Sequence, residues 1–124
     1  MTATTLRCEL FPDDIGVSVA FYRDVLGFEL ERDERDADAP YATLRRGDVR
    51  LGLARRPPVE NSSVRRPPAG VELVLEVDDL VAERARVLAA GWPLDDDLVR
   101  RPWGLTDFRV VDPSGYYWRL TDRG

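Results

Sequence analysis

The chain contains no histidine, one cysteine and no lysine, so all 18 of its basic residues are arginine. Histidine is the commonest metal ligand and the usual acid/base near neutral pH. Its absence excludes Ser-His-Asp and Cys-His catalysis and every histidine-based metal centre. Cys8 stands alone, which excludes an internal disulfide and any CxxC cluster and makes a reducing compartment the natural expectation. Long apolar runs are missing too, and the opening MTATTLRCEL has neither a basic n-region nor an apolar h-region. A soluble, cytoplasmic protein with no membrane partner is expected. Basic blocks are also lacking: acids and arginines are interspersed at a net charge of -5, which argues against nucleic acid as a partner.

What remains is 124 residues, 44% apolar and 33% charged, enough for one globular domain and too few for two of ordinary size. Arginine in place of lysine supplies flat guanidinium forks that pair bidentately and stack on rings. A pocket built with them suits planar or acidic ligand groups, although a codon bias toward arginine explains many of them equally well.

The chain repeats itself. PDDIGVSVAFYRDVLGF reads as a cap at Asp13 or Asp14, an amphipathic helix and a stop at Gly27; VDDLVAERARVLAAGW repeats the pattern. Asp13-Asp14-Ile15 matches Asp78-Asp79-Leu80 at a spacing of 65, and Gly27 matches Gly91 at 64, so the second helix has lost one residue. Alternation predicts strands at 6–11, 28–33, 41–46 and 49–55, then at 71–77, 93–100, 105–111 and 117–121. Turns are expected at Arg46-Gly47-Asp48 and at DPSG, 112–115. The predicted fold is α+β: two βαβββ modules, at about 1–56 and 71–124 within one domain. The proline-rich RRPPVENSSVRRPPAG serves as a linker at about 57–70 that does no chemistry.

Side-chain parity assigns the faces. Leu6, Cys8, Leu10, Val49, Leu51, Leu53, Leu73, Leu75, Val77, Phe108, Val110, Trp118 and Leu120 share the side expected to pack under the helices, against Val17, Phe21, Leu26, Val81, Ala85 and Leu88. Cys8 reads there as a small buried hydrophobe. The opposite side carries Arg7, Glu9, Phe11, Tyr41, Thr43, Arg45, Arg50, Glu72, Asp107, Arg109, Tyr117 and Arg119. That pattern fits an ordinary solvated exterior. It equally fits the wall of a cup that the two sheets curl around a small molecule.

SVAFYRDVLGFEL (18–30), GVELVLEVDDL (70–80) and RPWGLTDFRVVDPSGYYWRL (101–120) resemble the glyoxalase, bleomycin-resistance and extradiol dioxygenase superfamily. The resemblance runs along nearly the whole chain. It implies cupped mixed sheets around a ligand pocket, and a homodimer. Metal-dependent enzymes of that family take their ligands from the first strand of each module and from the last strand; here those places hold Arg7, Glu72 and Arg119. Two cations in three places cannot bind a metal ion and would repel it. The resemblance therefore points to the branch without a metal or other cofactor, whose members bind an antibiotic without altering it.

On that reading Phe11, Tyr41, Trp103 and Tyr117 stack on the rings of a bleomycin-, mitomycin-, phenazine- or enediyne-like compound. Arg50, Arg109 and Arg119 donate to its oxygens, with Arg7 and Thr43 beside them, while Glu9, Glu72 and Asp107 accept from amines or balance the arginines. By the same resemblance Trp103 sits at the pocket mouth, with a surface or dimer position as its alternative. The competing functional expectation is a metal-independent lyase or isomerase with Glu9 or Glu72 as general base and an arginine stabilising an oxyanion.

Overall fold

The computed structural model describes residues 4–55 and 70–122, and the chain divides into two units, Met1–Arg66 and Pro67–Gly124. The linker expected at 57–70 falls outside the described residues except for Gly70. The first unit runs β1 (Arg7–Leu10), α1 (Ile15–Asp24), β2 (Glu29–Glu34), β3 (Tyr41–Arg46) and β4 (Val49–Ala54). The second runs β5 (Leu73–Glu76), α2 (Leu80–Ala89), β6 (Asp96–Arg100), β7 (Thr106–Val111) and β8 (Tyr117–Thr121). Each unit is a four-stranded mixed sheet, ordered β1-β4-β3-β2 and β5-β8-β7-β6. In each, the first strand lies parallel to the last and the other pairings are antiparallel. This is the predicted α+β architecture. Among the described residues no helix is long and apolar enough to cross a membrane.

The duplicated motif folds twice by the same local chemistry. Asp14 and Asp79 cap their helices by accepting from the backbone N–H groups of Val17 and Ala82, three residues on. Gly27 and Gly91 both take positive φ, 74° and 76°, where a side chain would be strained. The lost residue lies at this helix end. Trp92 N–H reaches back five residues to the Val87 carbonyl, whereas Phe28 N–H reaches back six, to Tyr22.

Hydrophobic burial follows strand parity more closely than helix phase. Leu10, Leu51, Leu53, Leu75, Val77, Phe108, Val110, Trp118 and Leu120 are buried as expected, as are Phe21 and Leu26. Val81 and Leu88 are not: they are 70% and 45% exposed, and α2 instead buries Leu80, Glu83 and Val87. Leu80/Val87 and Val81/Leu88 are both seven-residue apolar pairs, so periodicity alone cannot choose between them. Ala85 goes with the exposed pair. The buried stripe also contains Glu83, whose carboxylate is held at 2.7 Å by Arg86 one turn on. In α1, Val17 is exposed while Ser18 and Tyr22 face inward, a rotation of about one residue from the expectation. At the chain's start Leu6 is exposed and Cys8 only half-buried, because β1 is a four-residue edge strand.

Because the Asp79 side chain accepts from Ala82 N–H, Asp79→Ala will lower stability by about 1 kcal/mol. A lower urea midpoint with an unchanged denaturant slope would show it.

Candidate functional site

The face of each sheet turned away from the apolar core gathers the predicted site residues, and the two faces solve their electrostatics differently. On the second sheet, Arg119 of β8 lies opposite Arg109 of β7, which lies opposite Asp96 of β6. Two adjacent arginines require anions. Glu72, just before β5, lies 2.8 Å from Arg109 and 3.0 Å from Arg119. Asp107 lies 3.6 Å from Arg119 and 2.8 Å from Arg101. Asp96 accepts from Arg101 at 2.6 Å and from Arg109 at 3.5 Å. The six groups close a ring of alternating sign, with three arginines and three carboxylates.

Asp107 anchors this ring, with 0% of its surface exposed. Burial pushes its carboxyl upward, but the hydrogen bonds from Arg101 and the fields of Arg101, Arg109 and Arg119 outweigh it and hold the group below its ordinary value. The Arg101 guanidinium is raised in turn, first by its hydrogen bonds to Asp107 and Asp96. Arg119 Nε is buried and off line for a hydrogen bond, so its contact with Glu72 is one of proximity. Sequence reasoning missed Arg101 and Asp96. Arg101 lies in the loop after β6, and Asp96 stands beside an irregular register between 96 and 99, where parity does not report direction.

On the first sheet the duplication places different residues at the matching points. Glu9 pairs with Gly52 as Val74 pairs with Arg119, and Glu9 to Val74 keeps the spacing of 65 seen at the helix caps. Gly52, and not Arg50, is therefore the counterpart of Arg119. A Cβ at Gly52 would overlap the Glu9 carboxylate and the Tyr41 hydroxyl, which cross the open space above it. Tyr41 donates to Glu9 at 2.8 Å, and Arg7 donates to the same carboxylate at 3.1 Å. Burial first, and then the bond to Glu9, raise the Tyr41 phenol above its ordinary value, so it remains a donor. Beside this pair lies a cavity of about 220 Å³ lined by Arg7, Arg32, Tyr41, Thr43, Arg45 and Arg50, among others.

The remaining predicted residues stand apart. Phe11 is half-buried just beyond β1; Trp103, on the loop between β6 and β7, is 60% exposed, and Tyr117 is half exposed. A larger recess of about 580 Å³ opens at the start of α1, between Asp14, Arg35 and Asp36, and contains none of the predicted residues. Among the described residues no group of three or more Cys, Asp or Glu side chains converges as metal ligands would. Glu72, which the resemblance expects at a metal-ligand place, is bracketed by Arg109 and Arg119.

A family model for the glyoxalase/bleomycin resistance protein/dioxygenase superfamily matches residues 4–120. The chain belongs to that superfamily. No curated protein sequence matches it. Among solved structures it is similar to TioX from Micromonospora sp. ML1, at 24% identity and a TM-score of 0.77, covering 98% of this chain and 100% of that one. It is similar to the bleomycin-binding protein of bleomycin-producing Streptomyces verticillus, solved with copper(II)-bleomycin, at 26% identity and 0.72, covering 100% and 99%. Lactoylglutathione lyase from Agrobacterium tumefaciens shares the fold at 21% and 0.72, covering 98% and 95%. The superfamily thus includes both binding proteins and enzymes.

Since the fold holds Asp107 below its ordinary pKa, the stability it contributes is complete above the unfolded value of about 3.9 and disappears as pH falls through the lower folded value. Asp107→Asn should flatten that acid limb. At neutral pH it should cost about 3 kcal/mol, because Arg101 loses a buried partner; urea melts at pH 7 and pH 3 measure both effects.

Proposed function

We propose that this superfamily member is a non-enzymatic binding protein that sequesters an aromatic natural product, of bleomycin, mitomycin, phenazine or enediyne type, without modifying it. The observation that carries the proposal is the pairing of Glu72 with Arg109 and Arg119, taken with the arginines at the other two places where the resemblance expects metal ligands. Arg7 and Arg119 cannot ligate a metal ion. Glu72, which can, is engaged by Arg109 and Arg119. The likeness to a structure that holds copper(II)-bleomycin supports a drug as ligand. Planar rings would stack on the exposed Trp103 indole and Tyr117 ring of the second unit. The reading includes a cytoplasmic homodimer, since a sequestering protein acts where the drug's target lies.

The test is a titration of purified protein with a panel of DNA-damaging antibiotics, following tryptophan fluorescence and then the mass of the recovered ligand. Stoichiometric quenching with the ligand unchanged is expected. Time-dependent conversion of the ligand would overturn the proposal in favour of catalysis, with Glu9 or Glu72 as the base to mutate first. Light scattering at about twice the chain mass is expected for the dimer.

A further inference from the structure

The two open faces differ most in how completely their cations are matched. The ring on the second sheet sets three arginines against three carboxylates. On the first sheet Arg7, Arg50 and Arg45 stand directly opposite one another across β1, β4 and β3, a row of three like charges. Like charges in cross-strand pairs repel, and nothing in a solvated exterior calls for such a row. Arg7 finds Glu9 at 3.0 Å, and Arg45 finds Glu31 at 3.2 Å where the β2 register slips by one residue. Arg32, opposite Thr43, finds Glu34 at 2.8 Å. Arg50, in the middle of the row, donates only to a neutral group, the Thr5 hydroxyl at 2.9 Å, and has no carboxylate partner among the described residues.

Arg50 is half-buried and lines the cavity of about 220 Å³, whose wall carries four arginines and one glutamate. Thr43 and the Tyr41 phenol border the same space. A guanidinium between two others, with unused donors facing a cavity, is arranged to take a planar oxyanion bidentately. An anion there would relieve the repulsion along the row and supply the counter-charge that the fold omits.

We propose that the open face of the first sheet is an anion-recognition site centred on Arg50, and that it selects ligands carrying a carboxylate or phenolate on a planar ring system over neutral or cationic ones. This deepens the binding reading above by naming the charge of the ligand. It also sets the chain apart from a receptor for a cationic drug.

Calorimetric titration at low salt with 2-naphthoate, 2-naphthalenemethanol and 2-naphthylmethylammonium tests the proposal. The carboxylate is expected to bind one per chain and at least about tenfold more tightly than the alcohol, as one charge-assisted interaction would give, with the ammonium weakest. Arg50→Gln should bring the carboxylate down to the affinity of the alcohol without lowering the melting temperature, because it removes a repulsive charge. Arg23→Gln, which removes an exposed arginine of α1 paired with Asp24, should leave the preference intact and so control for net charge. If Arg50→Gln fails to fold, the salt dependence of 2-naphthoate binding to the natural chain decides: weakening by added sodium chloride supports the site, and insensitivity overturns it. Equal affinity for the three probes, no binding of the carboxylate, or an unchanged preference in folded Arg50→Gln also overturns it. Tight capture of an unmodified cationic antibiotic alongside any of those results would sink the anion site while sequestration stood. A carboxylate preference lost in Arg50→Gln, with no antibiotic bound, would do the reverse.

Discussion

A carboxylate buried as completely as Asp107 has to be met by cations, and the open face of the second sheet is arranged around that demand. Arg101 answers it most directly, from the loop after β6, with two nitrogens on the carboxylate. Arg119 approaches from β8, and each of these arginines then requires its own second anion, which Asp96 and Glu72 provide. Arg109 closes the circuit. Isolated ion pairs at a surface contribute little, but a closed network around a fully buried member is held by the desolvation penalty of breaking it. Such a face is electrically satisfied.

The first sheet obeys no comparable demand. Tyr41 stands on its face as a neutral donor, and the place of Arg119 is held by glycine, so the central charge pair of the ring is missing. What fills the space is a hydroxyl bonded to a carboxylate. The charges that remain are crowded toward the Arg50 end of the sheet. One sheet is therefore closed by its own residues, and the other keeps donors available for something that is not part of the chain.

Most of the fold was legible because its signals are local. β3 at 41–46 and β8 at 117–121 begin and end where alternation places them, and the aspartate caps and helix-ending glycines recur as the repeat requires. Helix phase was less legible: α2 carries two apolar stripes of equal spacing, and only tertiary packing chose the one that contains a glutamate. At the candidate site, parity put Arg7, Glu9, Arg50, Asp107, Arg109 and Arg119 on the correct faces. It could not show which charges neutralise one another, since that depends on register. Two of the ring's six contacts run through Arg101, in a loop where period-two reasoning has no purchase. Register is also what relates Arg119 to Gly52 across the two modules, a correspondence that alternation alone does not reveal.

The residue missing from the second module falls between its last helical turn and Gly91, and the register slips of the sheets are confined to the edge strands β2 and β6, while the ladders of β1, β4 and β3 and of β5, β8 and β7 run without a slip. Had a slip fallen within one of those ladders, every side chain beyond it would have swung to the opposite side of the sheet, carrying leucines into solvent and arginines into the core. Because the irregularities were confined to helix ends, connections and one edge strand of each sheet, the interior of each copy was insulated from changes on its outer surface. The two surfaces were thereby free to drift to opposite electrical characters, one saturated and one wanting, without either copy having to relearn how to fold.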